Sequence, residues 1–497
     1  MAESNNYPKS QNDPILSMEE GIAYDDVLLV PAYADILPDQ VRIETQLTRN
    51  ISIMIPVLSS AMDTVTESSM AIAMALSGGI GCVHKNMSIS RQVEEIRKVK
   101  RFQSGMILDP IYLEDETTLR EAVDIIKRHR IGGIPIVKKD KTLVGIVTNR
   151  DLRFLKSDNR PISSVMTPNP LITGRVGIGL EEAAHILQQH KIEKLPIVDE
   201  KGVLKGLITY KDILKKSDHP HATRDSYGRL QVGAALGLTE DVFLRVKALK
   251  EAEVDFFVID TAHAHSKGVI SLAEEIKKTL DIDLVVGNIA TAEAAKSLIK
   301  IGVDAVKVGI GPGSICTTRV IAGVGVPQFT AVANVSSVAR KNKIPVIADG
   351  GIRYSGDIVK ALAIGADSVM MGSLLAGTDE TPGEVIILQG KKYKTYRGMG
   401  SVESMQQGSS DRYFQAPYTD SKKLVPEGVV GQVPYRGPVA EVLHQLVGGI
   451  RSGMGYCGAK DLSELRKTQF IRVTPAGVRE SHPHDVIITR EAPNYSG

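Results

Sequence analysis

The segment VDAVKVGIGPGSICTTR, residues 303–319, joins a buried strand to a glycine-rich loop that carries a cysteine. Gly311 and Gly313 allow the backbone to adopt left-handed conformations and to approach a ligand closely. Cys316 follows in the loop, beside two threonines and the cationic Arg319. Because cationic or donor-rich neighbours favour the thiolate, the reactive form of cysteine, this setting predicts a nucleophile. The alternative is a small apolar residue in a turn, which the preceding glycines make the weaker interpretation.

An alternation of apolar strands and helices runs through most of the chain. The strand pattern covers residues 55–63, 79–83, 230–234, 255–259, 284–287, 305–308, 346–349 and 368–372. Helical patterns cover a stretch ending at 77 and residues 89–100, 240–252, 267–280, 291–301, 333–342 and 356–364. Eight strands followed by helices predict the α/β class and a closed (β/α)8 TIM barrel. An open doubly wound sheet is the alternative, but the usual GxGxxG after its first strand is missing.

An internal repeat interrupts the barrel pattern between the second and third predicted strands. Residues 120–152 and 181–213 align without a gap and share twelve residues, including a Pro-Ile-Val run and a Gly-x-x-Thr-x-x-Asp ending. Each copy predicts a helix, a strand, a turn, a strand and a helix, and such repeats usually bury their apolar faces against each other. The pattern resembles a tandem pair of CBS domains, known as a Bateman module.

This resemblance divides the chain into the first part of a catalytic barrel at 1–104, the CBS module at 105–217 and the rest of the barrel at 218–497. It also implies regulatory binding of purine nucleotides of the ATP/GTP class by the repeated ending, at Thr148, Asp151, Thr209 and Asp212. The local alternative is a helix N-cap, a threonine with a carboxylate three residues later. Both interpretations are compatible, because a capped helix N-terminus also attracts anions.

Polar residues fall where the predicted barrel strands end. Asp260 and Asn288 follow two of them, Asp349 ends a third, and Gly350–Gly351 and Gly372–Ser373 lie at the ends of the last two. Active sites of TIM barrels lie at the carboxyl ends of the strands, and the loops after the seventh and eighth strands commonly bind phosphate. The sequence therefore predicts a nucleoside monophosphate site, with Asp349 near the ribose and the cysteine near the base.

Composition narrows the class of protein. A net charge of +2 and an aromatic content of 4% argue against general nucleic-acid or membrane-surface binding. Three distant cysteines predict no disulfide framework. The polar N-terminus lacks the apolar core of a signal peptide, and no apolar run is long enough to span a bilayer. We therefore predict a cytoplasmic protein without a membrane or specific nucleic-acid partner.

Residues 379–437 show no clear periodicity. Loops of this length in compact domains are usually functional lids, and a solvated surface loop is the alternative. Gly398 and Gly400 flank Met399 in a way that favours backbone contact with a flat ligand, and Arg412 and Tyr413 lie in a Gly/Ser-rich setting suited to movement. We predict a mobile flap over about 379–437.

Together, the motifs resemble the bacterial type of the inosine-5′-monophosphate dehydrogenase family. They are GPGSICTTR, IADGGI, VMMGSLLAG, YRGMGS, SSDRYFQ and the inserted CBS pair. The resemblance implies NAD-dependent oxidation of IMP to XMP, the committed step of guanine nucleotide biosynthesis. Cys316 would add to C2 of the purine, hydride would pass to NAD, and a covalent thioimidate would remain. The flap would then replace NADH, and Arg412, Thr318 and Tyr413 would activate water for its hydrolysis.

The same resemblance implies the binding residues. For IMP they are Ser59, Ser314, Asp349, Gly351, Gly372, Ser373, Tyr396, Gly398, Met399, Gly400 and Glu427; for NAD they are Asp260, Asn288 and Gly309. A potassium ion would be bound by Gly311, Gly313 and Cys316, together with Glu480, Ser481 and His482 of a neighbouring subunit. This sharing implies a homotetramer, possibly an octamer.

Two other functions compete with this one. GMP reductase shares the cysteine loop and the purine barrel but runs the redox chemistry in the other direction, and we expect it to lack the Arg412–Tyr413 flap. A catalytically silent nucleotide sensor could also be built on the CBS pair, but the complete set of Cys316, Thr318 and Arg412 argues against it.

Overall fold

The chain forms two compact units, one of Met1–Met74, Gly79–Val93 and Gly233–Gly497 and one of Ala75–Gly78 and Glu94–Val232. The computed structural model describes residues 19–102, 107, 110–129, 131–153, 155, 158–210, 213, 219–415 and 421–495. Within these ranges no helix has both the length and the apolar character that crossing a bilayer requires. The domain boundaries drawn from the sequence, at 104/105 and 217/218, stay predictions.

Eight strands of the first unit close into a barrel, which confirms the predicted (β/α)8 fold. In chain order they are β1 Val57–Ser59, β2 Ile80–Val83, β3 Val232–Leu236, β4 Phe256–Asp260, β5 Asp283–Ile289, β6 Ala305–Val308, β7 Val346–Asp349 and β8 Ser368–Met371. Around the barrel they run β3-β4-β5-β6-β7-β8-β1-β2. The two strands before the repeat and the six after it therefore complete one sheet.

The barrel interior is a packed apolar core. One cluster of buried side chains takes a member from every strand, among them Leu58, Phe256, Ile347 and Met370. The strands read as nearly continuous apolar runs because both of their faces are covered. Cys82 on β2 belongs to this cluster, and burial raises the pKa of its thiol well above the usual value. Cys82 is therefore a core residue without the exposure that a reactive cysteine needs.

Helices alternate with the strands as predicted. The main ones are α1 Ser68–Leu76, α2 Ile89–Arg101, α3 Val242–Glu251, α4 Lys267–Thr279, α5 Ala292–Lys300, α6 Gln328–Ala339, α7 Ser355–Ile364 and α8 Val439–Tyr456. Helix α6 begins five residues before the predicted position 333, directly after Pro327, whose fixed φ suits a helix start. Short strands Val27–Leu29 and Phe470–Arg472 pair, as do Thr45–Gln46 and Ser52–Ile53.

The segment 379–437 contains more regular structure than its sequence pattern suggested. Strands β9 Val385–Leu388, β10 Lys391–Arg397 and β11 Val430–Pro434 form an antiparallel sheet. Gln389 and Gly390 make the two-residue turn between β9 and β10, and both have positive φ, as a type I′ hairpin turn requires. Between β10 and β11, short helical turns cover Val402–Ser404, Met405–Ser409 and Ser410–Tyr413. The segment therefore contains strands and helical turns that its sequence pattern did not indicate, and the mobile flap over about 379–437 stays a prediction.

The second unit contains the two repeat copies, each with a helix and an antiparallel strand pair. The first has Leu119–His129, Gly133–Val137 and Leu143–Thr148, and the second has Leu180–His190, Lys194–Val198 and Leu204–Thr209. Two backbone hydrogen bonds join the copies at equivalent positions: Leu143 N–H donates to Gly202 O, and Leu204 N–H donates to Lys141 O, both at 3.0 Å. The copies thus contact each other symmetrically, as repeats that share an apolar face do.

The ending of the first copy is a capped helix start. The backbone N–H and the hydroxyl of Thr148 both donate to Asp151 Oδ2 at 2.7 Å, at the start of the short helix Asn149–Leu152. This is the capping arrangement that the sequence suggested as the local alternative. In the second copy, Thr209 ends a strand, and Asp212 lies outside the described residues.

Candidate active site

One cavity of about 320 Å³ opens at the carboxyl ends of the barrel strands, within the size range of small-molecule sites. It brings together nearly all the site residues drawn from the sequence. Its wall includes Asp260, Asn288, Gly309, Gly311, Gly313, Ser314, Cys316, Thr318, Asp349, Gly351, Gly372, Ser373, Tyr396, Gly398, Met399, Gly400, Arg412, Tyr413 and Glu427. Residues from eight separate segments of the chain therefore meet around one space.

Cys316 lies on a loop that is tied to the segment before β11. The thiol Sγ is 3.2 Å from the hydroxyl Oγ1 of Thr318, and the N–H of Cys316 donates to Gly313 O at 3.0 Å. Thr317 N–H donates to Glu427 O at 2.9 Å, which joins the loop to the far side of the cavity. The half-buried thiol is thus held at the cavity wall beside a hydroxyl, as a nucleophile requires.

Arg319 lines the same cavity as Cys316, and backbone carbonyls hold its side chain. Its Nε donates to Ile310 O at 3.2 Å and its Nη2 donates to Val326 O at 2.6 Å. A Cβ on Gly311 would lie 2.6 Å from Cγ of this side chain. Arg319 therefore braces the two ends of the cysteine loop, and Gly311, at φ +76°, makes the close approach possible.

Ser60, and not Ser59, lines the cavity. The hydroxyl of Ser59 is fully buried and accepts a hydrogen bond from Thr66 Oγ1 at 2.9 Å. The hydroxyl of Ser60 is also buried, lines the cavity and has no hydrogen-bond partner among the described residues. The substrate-binding role drawn for Ser59 therefore fits its neighbour, because side chains alternate in direction along the end of β1.

The region after β7 and β8 has the shape of an anion site. Gly350 and Gly351 have φ of +88° and +76°, which exposes their backbone to the cavity. A Cβ on Gly372 would lie 2.4 Å from the hydroxyl of Tyr396, so the hydroxyl of that tyrosine lies directly against the glycine. Burial raises the pKa of Tyr396 well above its ordinary value, which keeps the phenol a hydrogen-bond donor.

Lys307 is a site residue that the sequence analysis missed. Its Nζ donates to Asp260 Oδ1 at 2.9 Å and to Asp349 Oδ2 at 2.6 Å, and it also contacts Asn288 Oδ1. Its side chain is fully buried in β6, and it contacts three residues of the cavity wall without lining the cavity itself. Burial acts to lower the pKa of Lys307, but the two carboxylates raise it above the usual value, so the lysine stays charged. The sequence did contain an indication of this role, because a single lysine between two apolar residues of a buried strand needs a charged partner.

Asp260 also forms an ion pair with Arg412 of the flap. Burial acts to raise the pKa of Asp260, but Arg412 and Lys307 together bring it far below the ordinary value, so the carboxylate is ionised. Burial acts to lower the pKa of Arg412, and Asp260 raises it above normal. In this conformation the guanidinium of Arg412 is therefore protonated. It is paired with Asp260, the carboxylate that we expect to bind NAD.

Tyr413 also lines the cavity. A Cβ on Gly400 would lie 2.8 Å from Cζ of this ring, so the glycine permits the contact. Burial raises the pKa of Tyr413 to about 12, although Arg412 acts to lower it. The phenol is therefore protonated at neutral pH.

Comparison with known proteins agrees with this geometry. A family model described as the IMP dehydrogenase / GMP reductase domain matches residues 21–484. The chain belongs to the IMP dehydrogenase / GMP reductase family. Proteins named inosine-5′-monophosphate dehydrogenase are 56% identical in Halalkalibacterium halodurans and 57% identical in Bacillus subtilis. In both cases the match covers 96% of this chain and 98% of the relative.

The family likeness extends to the fold. A crystal structure of a cysteine-to-alanine variant of Trypanosoma brucei GMP reductase, in complex with guanosine 5′-monophosphate, is 41% identical with a TM-score of 0.83. The match covers 95% of this chain and 99% of that chain. This chain and the GMP reductase therefore share one architecture, whereas the relatives named inosine-5′-monophosphate dehydrogenase are more similar to the chain in sequence.

The residues predicted to hold potassium in this family member divide into two groups. Gly311, Gly313 and Cys316 line the cavity, and their carbonyl oxygens are hard donors of the kind that alkali and alkaline-earth cations prefer. Among the described residues, no cluster of three or more His, Cys, Asp or Glu could hold a metal ion. Of the residues assigned to a neighbouring subunit, His482 is within 3.0 Å of the Tyr495 hydroxyl and its ring lies against Tyr354.

Proposed function

We propose that the chain oxidises IMP to XMP with NAD as an IMP dehydrogenase, the committed step of guanine nucleotide biosynthesis. The observation that carries the proposal is Arg412 on the wall of the Cys316 cavity, paired with Asp260. A dehydrogenase must hydrolyse its covalent adduct, and a cationic side chain delivered to the adduct by a flap suits that step. Relatives of the same name at 56–57% identity over 96% of the chain support the choice.

The residues of the cavity suit a two-step reaction. The Cys316 thiolate adds to C2 of the purine, and C2 then loses its hydrogen as hydride to leave a thioimidate. NAD, when bound against Asp260, Asn288 and Gly309, supplies the hydride acceptor. Water next adds to C2, the bond between C2 and Sγ breaks, and XMP leaves with the thiol restored. Thr318 Oγ1, 3.2 Å from Sγ, lies within reach of the water that attacks C2.

Asp260 takes part in both steps. Its carboxylate binds the cofactor during hydride transfer and forms the ion pair with Arg412 during hydrolysis. In the docked conformation Arg412 carries a raised pKa and Tyr413 a pKa of about 12, so both are protonated. We therefore assign them to orienting the water and stabilising the charge that develops on the purine. Removal of a proton from the water then requires the flap to loosen the pair with Asp260 or a further group to accept it.

The function is tested by NADH formation from IMP and NAD in potassium buffer. Steady NADH production, with XMP as the product, is the expected result. Consumption of NADPH with GMP, and no reaction with IMP, would assign the chain to the reductase branch. Nucleotide binding without either reaction would make it a sensor.

We also propose that potassium binds the carbonyls of the cysteine loop and, in a homotetramer, Glu480–His482 of a neighbouring subunit. Such an ion would hold the loop of Cys316 in one conformation. Replacing potassium with lithium at constant ionic strength is then expected to lower turnover about tenfold or more, as loss of a positioning interaction does. Equal turnover in both salts would remove the ion from the mechanism.

We also propose a cytoplasmic location for the protein.

The CBS module at 105–217 is proposed to bind purine nucleotides and to regulate the barrel. All eight barrel strands lie outside these residues. Deleting 105–217 and joining the ends with a short Gly/Ser linker is therefore expected to leave basal turnover within about threefold of the parent, since the site does not draw on the module. Initial NADH rates, with circular dichroism to verify folding, provide the measurement. A folded deletion variant with no turnover would show that the barrel depends on the module.

A further inference from the structure

A second buried ion pair holds the flap, one residue before Arg412. Lys85 Nζ lies 2.5 Å from Asp411 Oδ1 and donates to Gly408 O at 2.9 Å. Lys85 follows β2, and Asp411 lies in the flap turn Ser410–Tyr413. The side chains are only 7% and 3% exposed, so the pair is buried on both sides. It therefore joins the barrel rim to the flap at a site shielded from solvent.

This pair lies outside the reacting groups. The described residues that line the cavity include Arg412 and Tyr413 but neither Lys85 nor Asp411. Arg412 is held separately, through its ion pair with Asp260 and through its carbonyl, which accepts from Ala262 N–H at 3.0 Å. Under the proposed function, Asp260 is available to Arg412 only when NAD has left. The pair of Lys85 and Asp411 is free of that competition, so it depends only on whether the turn is in its docked position.

The cost of burying charge explains why such a pair suits a movable element. Removing two charges from water offsets most of their attraction, so a buried pair adds little net stability, whereas a single buried partner left behind is strongly unfavourable. The pair is therefore sensitive to geometry: it forms in one docked position and is lost in others. Such an interaction specifies where the turn rests more than it strengthens the fold.

Gly237, directly after β3, provides the space for the pair. A Cβ at this position would lie 2.0 Å from Asp411 Oδ2 and 2.4 Å from Lys85 Cε. The φ of Gly237 is outside the left-handed region, so its backbone does not require glycine. Glycine is required here because any larger side chain would occupy the space in which Asp411 and Lys85 meet. This is an observation independent of the charges, and it points to the same docked position.

We propose that Lys85 and Asp411 form a latch that positions the Arg412 turn for the hydrolytic half of the reaction, without taking part in hydride transfer. The latch deepens the proposed function and rests on it. Lys85 and Asp411 are positioning residues, because they act through Arg412 and do not touch the reacting atoms.

Rapid mixing of the full-length protein with IMP and NAD separates the two halves of the reaction. The first turnover of NADH reports hydride transfer, and the steady rate that follows reports hydrolysis and flap movement. In Lys85→Met and Asp411→Asn we expect the first-turnover rate to stay within about twofold of the parent, and the steady rate to fall by about 10- to 100-fold. The double variant should be no slower than the slower single variant, since both changes remove one interaction.

Gly237→Ala tests the same latch with every charge retained. It should reproduce the split between a normal first turnover and a slow steady rate. Gly356→Ala is its control, because a Cβ there meets nothing within 4 Å. Lys278→Met, which removes an exposed lysine–glutamate pair on α4, is the control for Lys85. Both controls should match the parent.

Two results would overturn the latch. One is a first-turnover rate that falls with the steady rate in folded Lys85→Met, which would place Lys85 in hydride transfer. The other is a Gly237→Ala variant with the kinetics of Gly356→Ala. If the parent protein forms no NADH from IMP, the proposed function fails first, and that result is distinct from both.

Discussion

Replacement of Cys316 by alanine is expected to abolish NADH formation, including the first turnover. Among the described residues, Cys316 is the only cysteine on the cavity wall, and its Sγ lies 3.2 Å from the Thr318 hydroxyl. Because hydride leaves only after the sulfur has added to C2, loss of the nucleophile stops the sequence at its first step. We expect a loss of about 10³-fold or more, as when a nucleophile is removed from other enzymes with covalent intermediates.

Cys457→Ala is the matched control for this variant. Cys457 is half-buried just after α8 and lies outside the cavity wall. Its first turnover and its steady rate should both equal those of the parent. Mass spectrometry of the denatured protein after mixing with IMP and NAD should detect the covalent adduct in the parent and in Cys457→Ala. A first turnover of normal size in Cys316→Ala would assign the chemistry to another group.

The barrel could be predicted from the sequence because its strands are distinctive. Buried parallel strands have apolar residues on both faces, so Ala305–Val308 and Val346–Asp349 were predicted with the observed bounds. The hairpin Val385–Arg397 was missed because β9 is a run of four exposed apolar residues, which lacks the alternation of apolar and polar residues on which such predictions rest. The Gln389-Gly390 turn between β9 and β10 was the available signal.

The candidate site was predicted mainly through the glycines and the cysteine, whose backbone requirements appear in the sequence. Interactions between side chains far apart in the chain did not appear there. Lys85 and Asp411 are 326 residues apart, and nothing near either one indicates the other. Whether Ser59 or Ser60 lines the cavity depends on the direction of each side chain at the end of β1. An error of one residue in the predicted strand boundary reverses that direction.

Lys307→Met is expected to lower the free energy of unfolding by about 3–5 kcal/mol at neutral pH. The change leaves the buried Asp260 and the partly buried Asp349, both on the cavity wall, without the ammonium group that lies 2.9 and 2.6 Å from their oxygens. Arg412 still pairs with Asp260, but it belongs to the flap, and Asp349 has no such substitute among its described ion pairs. Denaturant unfolding followed by circular dichroism measures the loss.

The dependence of this loss on pH identifies its cause. In the parent, the lowered pKa of Asp260 contributes stability above about pH 4, the unfolded value, and this stability is lost as pH falls toward the folded pKa. The raised pKa of Lys307 contributes stability below about pH 10.4 that is lost as pH rises through the folded value. Removing Lys307 raises the pKa of Asp260, so the deficit of the variant should be largest between these limits and should shrink on acidification.

Lys394→Met is the matched control, a buried lysine with different partners. Its Nζ donates to the carbonyls of Thr378 and Thr381 at 3.0 and 2.8 Å. Its removal leaves unpaired carbonyls, which cost about 1–3 kcal/mol, and breaks no ion pair among the described residues. The deficit of Lys394→Met should therefore stay constant from about pH 5 to about pH 8, where neither carbonyls nor lysine titrate. A Lys307→Met deficit that is equally independent of pH would mean that the packing of the Lys307 side chain, and not its charge, stabilises this part of the protein.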